Sequence, residues 1–320
     1  HQSLSLYVVE AIEVLDRESE SYALDAISLV EATLEDPTAV LYGQLDKKKG
    51  ALIADLKMQG VEYDERMKEL EKVDIDRPNL DLINATFEIF REHHPWVGNE
   101  RVRPKSVARE ILERSLSFND YVKEYGLSRT EGSLMRYLSQ AYKAIVQSIP
   151  EAAKTDHLYD LSDELGAIVR EVDSSLLDEW ERMKDPAKLA VAEPVDEGAP
   201  DVTADRRAFT AMVRNVCYRL LRCLAMRNWD DACELTDWTA WRFEEALAPY
   251  FEDHDAIRMD PSAKSPRNTI VEERDEEWIV RQVLVDADEQ NDWSFVGRVD
   301  LRKAREEGRP TLELSFIGPS

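Results

Sequence analysis

The chain has 320 residues, of which 66 are acidic and 41 basic, so that its formal net charge is −25 and its pI is near 4.6. This charge excludes a globally basic nucleic-acid binder, and any phosphate contact must come from a local cationic patch. With 43 % hydrophobic residues, only 11 glycines and no apolar run of about 18 residues, the sequence predicts sizeable helical cores and no membrane-spanning helix.

The first half of the chain shows the apolar period of packed helices. This period occurs in residues 4–15, 22–34, 80–90, 105–113, 118–125, 130–149 and 158–180. Residues 44–73 are instead highly charged on both sides of a break at Gly60, which predicts an exposed helical hairpin. We therefore expect residues 1–185 to form one helical domain.

The second half begins with a stretch rich in proline, alanine and acidic residues at 186–205, which predicts a linker. Residues 206–227 and 229–250 predict helices, and β-like runs follow at 268–273, 277–286, 292–301 and 310–317. Turn-forming residues separate these runs at hairpin distances. The predicted fold is a mainly α N-terminal helical bundle plus a smaller α+β domain at 206–320, with helices packed on a four-stranded antiparallel sheet in a cone-like arrangement.

Sequence motifs for catalysis are absent. There is no GxxxxGK[ST], HExxH, GxSxG or GxGxxG, and the histidines at 93, 94, 157 and 254 lie at predicted helix ends. Cys217, Cys223 and Cys233 have neither the spacing of zinc ligands nor the even number of a disulfide scaffold, so they predict buried thiols in a reducing cytoplasm. We expect no catalytic residue, no metal site and no cofactor in this chain.

Two cationic clusters interrupt the acidic background. The first contains no acid and consists of Arg101, Arg103, Lys105 and Arg109. Because Pro104 suits the first turn of a helix, the N–H groups of that turn and the neighbouring charges could hold a phosphate. Ion pairs with the surplus acids explain this cluster equally well.

The second cationic cluster lies on the predicted helix 206–227, which has arginines and no acid. One side of this helix carries Arg207, Arg214, Arg219 and Arg222, and the other side is apolar. These arginines could dock an acidic partner. Pairing with acids inside the chain is the interpretation that we favour.

Five of the seven tryptophans follow residue 200. Trp238 and Trp241 are three residues apart, which predicts one helical face, and Trp278 and Trp293 fall on neighbouring predicted strands. The favoured interpretation is a helix packed on the sheet through aromatic rings. The alternative is a concave aromatic pocket, with Arg281 or Arg298 at its mouth, that stacks a base or binds a small anion.

The segment 129–138, RTEGSLMRYL, resembles the Glu-Gly-Asp-Leu-x-Arg segment that opens a helix in the C-terminal helical domain of DExH-box RNA-processing helicases, with Ser133 in place of the Asp. Residues 22–37, 94–97, 103–106 and 172–180 are similar to the C-terminal region of actinobacterial DEAD/DEAH-box helicases, a domain of unknown function. The resemblance implies that Arg129, Glu131, Gly132, Leu134 and Arg136 belong to a helix along the path of a single strand. None of these residues would be catalytic.

This resemblance also implies two RecA-like motor domains upstream in the same polypeptide, which need ATP and magnesium and act on RNA or DNA. The opening His-Gln-Ser-Leu agrees with a piece of a longer protein. Our first hypothesis is therefore an accessory region of a superfamily 2 helicase, which completes the nucleic-acid channel and docks partners. Its predicted strand contacts are Arg101, Arg103, Lys105, Arg109, Arg129 and Arg136. The second hypothesis is an independent protein-interaction or small-ligand module that uses the aromatic pocket.

Overall fold

The described part of the chain groups into two units, each with its own core. The computed structural model describes residues 2–172, 201–260 and 263–319. Unit 1 contains residues 2–112, 116–158 and 168–172, and unit 2 contains 113–115, 159–167 and the described residues from 201 onward. The predicted boundary at 185, most of the linker 186–205 and the predicted helical residues 173–180 lie outside the described residues.

Unit 1 is helical, as its apolar period predicts. Its helices are α1 (Gln2–Ala11), α2 (Tyr22–Ala32), α3 (Thr38–Met58), α4 (Tyr63–Glu71), α5 (Leu80–His93), α6 (Ala108–Glu113), α7 (Phe118–Glu124), α8 (Glu131–Ser148) and α9 (Asp156–Val172), the middle of which groups with unit 2. Helix α2 is buried along almost its whole length and contacts α1 and α8. The core of unit 1 is thus built around α2.

The predicted charged hairpin at residues 44–73 falls on α3 and α4. Gly60 lies between the two helices with φ +74°, a left-handed conformation that glycine adopts without strain. Each helix buries little: Val40 and Gln44 on α3, and Leu70 on α4. The hairpin is therefore mostly exposed, as its charge density indicates.

Unit 2 combines helices with an antiparallel sheet. Its helices α10 (Arg206–Ala225), α11 (Trp229–Leu235) and α12 (Ala240–Asp253) precede the strands β1 (Thr269–Glu273), β2 (Glu277–Leu284), β3 (Trp293–Asp300) and β4 (Glu313–Pro319). The sheet order is β1-β2-β3-β4, and every neighbouring pair is antiparallel. Apolar side chains of α10 and α12, such as Phe209 and Phe243, share one core with Val280 and Phe295 of the sheet. The predicted α+β fold is confirmed.

The connection between β3 and β4 differs from the prediction of a simple turn. It contains helix α13 (Leu301–Glu307), which begins where the side chain of Asp300 accepts the N–H of Lys303 at 3.0 Å. It ends at Gly308, which has φ +67°. The turn-forming residues near position 308 therefore mark the end of a helix, and β4 begins at Glu313 rather than at residue 310.

Two of the three cysteines are buried on α10, as predicted. Cys217 and Cys223 lie in the core, and burial raises the pKa of the Cys217 thiol to about 12. A thiol with such a pKa stays protonated and unreactive at neutral pH. Among the described helices, none has the length and apolar character that a bilayer crossing needs.

Candidate nucleic-acid interface

The first cationic cluster lies on the chain that leads from α5 into α6. Residues 101–106 have no regular secondary structure, and α6 begins at Ala108 rather than at the predicted residue 105. The N–H of Arg103 donates to the carbonyl of Ala32 at 2.7 Å, which ties the segment to the end of α2. The cluster therefore has an inner side toward α2 and an outer side toward solvent.

The N–H groups at the start of α6, which the sequence offers to a phosphate, are occupied by the carboxylate of Glu31. Its Oε1 accepts the N–H groups of Val107 (3.0 Å) and Ala108 (2.8 Å), and its Oε2 accepts that of Arg109 (3.0 Å). The hydroxyl of Tyr137 donates to Oε1 at 2.8 Å. A carboxylate of the chain itself thus holds the place that we predicted for a bound anion.

Glu31 is fully buried, and its pKa reflects both its burial and its donors. Burial raises this pKa above its usual range, while the three N–H groups and the Tyr137 hydroxyl act in the opposite direction. The pKa of Tyr137 is raised as well, because the ring is buried and the charge of Glu31 lies beside it. Glu31 could have been noticed in the sequence as a charge four residues after Ile27, on the apolar side of α2.

Lys105 and Arg109 face inward. The side chain of Lys105 is fully buried, and its Nζ donates to the carbonyls of Glu31 (2.9 Å) and Leu34 (2.8 Å) and pairs with Asp36 at 3.2 Å. Burial lowers the pKa of Lys105, and Asp36 opposes this effect. Arg109 pairs with Asp25 at 2.8 Å. These contacts are the internal ion pairs of the alternative interpretation, and they leave both cations turned away from a strand.

The other four predicted strand contacts lie at the surface. Arg101, Arg103, Arg129 and Arg136 are exposed, and none of them has an ion pair with an acid in the part of the chain that the structure describes. Arg136 lies on α8, where the single acid Glu131 is outnumbered by two basic residues. A guanidinium can bind a phosphate through two parallel hydrogen bonds, so these four are suited to a phosphate backbone.

The arginine side of α10 is engaged within unit 2. Arg214 pairs with Asp160 at 2.5 Å, and Arg207 pairs with Asp163 at 3.4 Å. The guanidinium of Arg207 also lies 3.7 Å from the ring centre of Tyr159. Arg219 and Arg222 are half-buried on the same side. This is the internal pairing that we favour from the sequence over docking of a separate partner.

The structure packs three of the four tryptophans of the proposed pocket into the core. Trp238 donates its Nε1–H to the carbonyl of Leu314 at 2.9 Å. The ring of Trp278 meets Phe209 edge-on at 4.9 Å, and that of Trp293 meets Tyr250 at 5.4 Å. These contacts match a helix packed on a sheet through aromatic rings.

The expectation that Trp238 and Trp241 share a helical face is wrong. Helix α12 begins at Ala240, so Trp238 precedes it and is buried, whereas Trp241 is 68 % exposed. At the predicted mouth of the pocket, Arg298 pairs with Glu313 at 2.7 Å and Arg281 is exposed on β2.

A family model described as a domain of unknown function (DUF3516) matches residues 1–317 of this chain. No curated protein and no solved structure matches it.

Proposed function

The chain belongs to the DUF3516 family, and we propose that it is an accessory region of an ATP-dependent superfamily 2 helicase that contacts one nucleic-acid strand through four arginines. These are Arg101, Arg103, Arg129 and Arg136 of unit 1. Their exposure without an acidic partner among the described residues, in a chain of net charge −25, is the observation that carries the proposal. The resemblance of the segment that opens α8 to helicases supports the choice of protein class.

The net charge of the chain bears on how such contacts would work. Its acidic surface repels a polyanion at long range, so the arginines act only at close range and at low salt. Contacts with four phosphates predict that the logarithm of the binding constant falls with the logarithm of salt with a slope of about −3 for a single strand. Strand binding by this chain alone is therefore expected to be weak and steeply salt-dependent.

The strand contact is tested with a variant in which all four arginines are changed to Gln. Binding of a fluorescently labelled single-stranded RNA or DNA is measured by anisotropy at about 20 mM and 100 mM salt. A matched control changes four exposed cations elsewhere, Lys57, Lys68, Arg302 and Arg309, to Gln and so carries the same change of charge. We expect at least about a tenfold loss in the first variant and less than about twofold in the control. An equal loss in both would reduce the effect to net charge and overturn the proposed interface.

The helicase class is tested separately. If the encoding gene places a phosphate-cradling P-loop and a DEAD- or DExH-like strand end upstream of this chain, the four arginine changes should lower strand-stimulated ATP hydrolysis by the whole polypeptide. ATP hydrolysis without a strand should not change, because ATP binds to the motor domains. An upstream region without these motifs would overturn the helicase assignment and leave the strand contact to be judged by its own test.

The second hypothesis, a small-ligand module with an aromatic pocket, has less support. Trp238, Trp278 and Trp293 are each at least nine-tenths buried, so little of their ring surface is available to stack on a ligand.

A further inference from the structure

Three potential metal ligands converge at one end of the β2–β3 hairpin in unit 2. His254 directly follows α12, Asp286 lies in the loop after β2, and Asp292 directly precedes β3. One donor atom from each residue lies within 4.8 Å of the donors of the other two. Residues that are distant in the sequence thus bring one imidazole and two carboxylates to a common point.

Two of the three side chains are held in place by the fold. Asp286 is almost fully buried, and its two carboxylate oxygens accept the N–H groups of Gln290 (3.1 Å) and Asn291 (2.7 Å). The carboxylate also accepts the N–H of Asp288, so that three of its four lone pairs are used and one is left for another bond. The imidazole of His254 lies against the ring of Tyr250, with the ring centres 4.7 Å apart, and Tyr250 in turn contacts Trp293. The positions of these two ligands therefore do not depend on a bound ion.

Asp292 is exposed and can rotate. Atoms that share one metal ion at about 2.1 Å lie roughly 3–4 Å apart, which is somewhat closer than the 4.8 Å limit of this cluster. Rotation of the Asp292 side chain can supply this closure without a change in the backbone. His254 and Asp286 would thus be the fixed ligands, and Asp292 would move toward the ion when it binds.

We propose that His254, Asp286 and Asp292 bind a divalent first-row transition cation, such as Zn²⁺ or Mn²⁺. Imidazole and carboxylate together suit these ions, whereas Ca²⁺ and Mg²⁺ prefer oxygen ligands alone. The acids at 252, 253, 255, 288 and 289, which neighbour the three ligands in the sequence, favour a cation at this end of the unit. Three protein ligands leave the remaining positions of the ion to water. This site is additional to the arginines of unit 1 and does not depend on their function.

The simpler explanation is a loop cap in which Asp286 binds backbone N–H groups and the histidine pairs with the two acids. The two explanations differ in what Asp292 does. The loop is capped by the hydrogen bonds of Asp286 whether or not His254 and Asp292 are present, whereas a metal ion needs all three side chains as ligands. Substitutions at these two positions, which leave Asp286 and its hydrogen bonds in place, therefore separate them.

The test is titration of the whole, chelator-treated chain with ZnCl₂ and then with MnCl₂ in an isothermal calorimeter. We expect a saturable site that His254→Gln and Asp292→Asn each weaken at least about tenfold, since each removes one of three ligands. Asp275→Asn is the matched control, because it makes the same charge change at an exposed position before β2, at the other end of that strand and outside the cluster. It should leave the affinity within about twofold.

Circular dichroism of each variant establishes that it is folded. Absence of a saturable site in the unsubstituted chain, or equal weakening by Asp275→Asn and Asp292→Asn, would overturn the metal site and leave the loop cap.

Discussion

Among the residues that the structure describes, each of the two units buries one glutamate, and the two carboxylates have very different surroundings. Glu31 of unit 1 accepts four hydrogen bonds, three from the first N–H groups of α6 and one from Tyr137. Glu164 of unit 2 is also buried, but its Oε1 has no hydrogen-bond partner among the described residues. Its compensation comes instead from the nearby charge of Lys264.

The difference shows that the donors around a buried carboxylate, and not burial alone, determine what it does. Burial raises the pKa of Glu164 to about 7, with Lys264 acting in the opposite direction, and burial lowers the pKa of Lys264 to about 8. Glu164 is therefore harder to ionise than an exposed glutamate, and Lys264 is harder to protonate than an exposed lysine. Glu31, in contrast, uses both of its oxygens to join α2 to α6 and α8.

Glu31→Gln is expected to have the largest effect. The amide would direct its NH₂ group at one of the N–H donors of α6, which leaves that donor without an acceptor, and it would remove the charge near Lys105. We expect a loss of about 3 kcal/mol in the free energy of unfolding, measured by urea denaturation. Glu35→Gln, at an exposed position four residues along the chain, should change it by less than about 0.5 kcal/mol. A loss of similar size in both variants would contradict a specific role of the four donors.

Lys105→Met should cost about 2 kcal/mol, because the methionine fills the space of the stem but leaves the carbonyls of Glu31 and Leu34 without their donor. The same variant should bind a single strand as the unsubstituted chain does, since this ammonium group is fully buried. Denaturation and anisotropy on one preparation measure both quantities. Weaker strand binding at unchanged stability would return Lys105 to the predicted nucleic-acid interface.

Tyr137→Phe removes one donor from Glu31 and should cost about 1.5 kcal/mol, the usual value for a hydrogen bond to a charged group. Tyr42→Phe is the matched control, because Tyr42 is 67 % exposed on α3. Its free energy of unfolding should be unchanged within error. A Tyr137→Phe variant as stable as this control would show that the three N–H groups satisfy Glu31 by themselves.

Glu164→Gln should have the smallest effect at pH 5, and its effect should grow as the pH rises. The folded-state pKa of about 7 lies above the ordinary value of 4.5, so the contribution of Glu164 to stability is present below pH 4.5 and is lost as the pH rises through 7. Glutamine does not ionise, so the gain in stability of the variant relative to the unsubstituted chain should be about 1 kcal/mol at pH 5 and should increase as the pH rises to 8. Tryptophan fluorescence follows this unfolding, since five of the seven tryptophans lie after residue 200. A constant difference across this range would contradict a raised pKa of Glu164.

Much of the fold is visible in the sequence because local patterns determine it. The apolar period predicts the helices of unit 1, and the alternating runs predict the sheet, whose strands pair in the expected order. Helix α13 is missed because its seven residues are too few for a period, and Gly308 marks both turns and helix ends. A short helix that begins at a side-chain cap can be recognised only when the three-dimensional structure around its ends is known.

The candidate site is less visible in the sequence than the fold. The sequence at 101–109 shows where the cations lie along the chain, but not how deeply each side chain is buried. Lys105 is buried because Glu31, Leu34 and Asp36, some 70 residues away, place acceptors around its ammonium group. Contacts at such a separation leave no local pattern. Charged side chains usually lie at the surface of a protein, and Arg101 and Arg103 are the members of the cluster that follow this rule.

The hydrogen bonds of Glu31 also bear on the order in which unit 1 folds while the chain is synthesised. The carboxylate belongs to α2, but its acceptors are filled by N–H groups at 107–109 and by the hydroxyl at 137. A nascent chain that has emerged only as far as residue 100 carries α2 with an apolar face and an unsatisfied charge on that face. We therefore expect unit 1 to close only after residue 137 has left the exit tunnel, with the apolar face of α2 exposed until then.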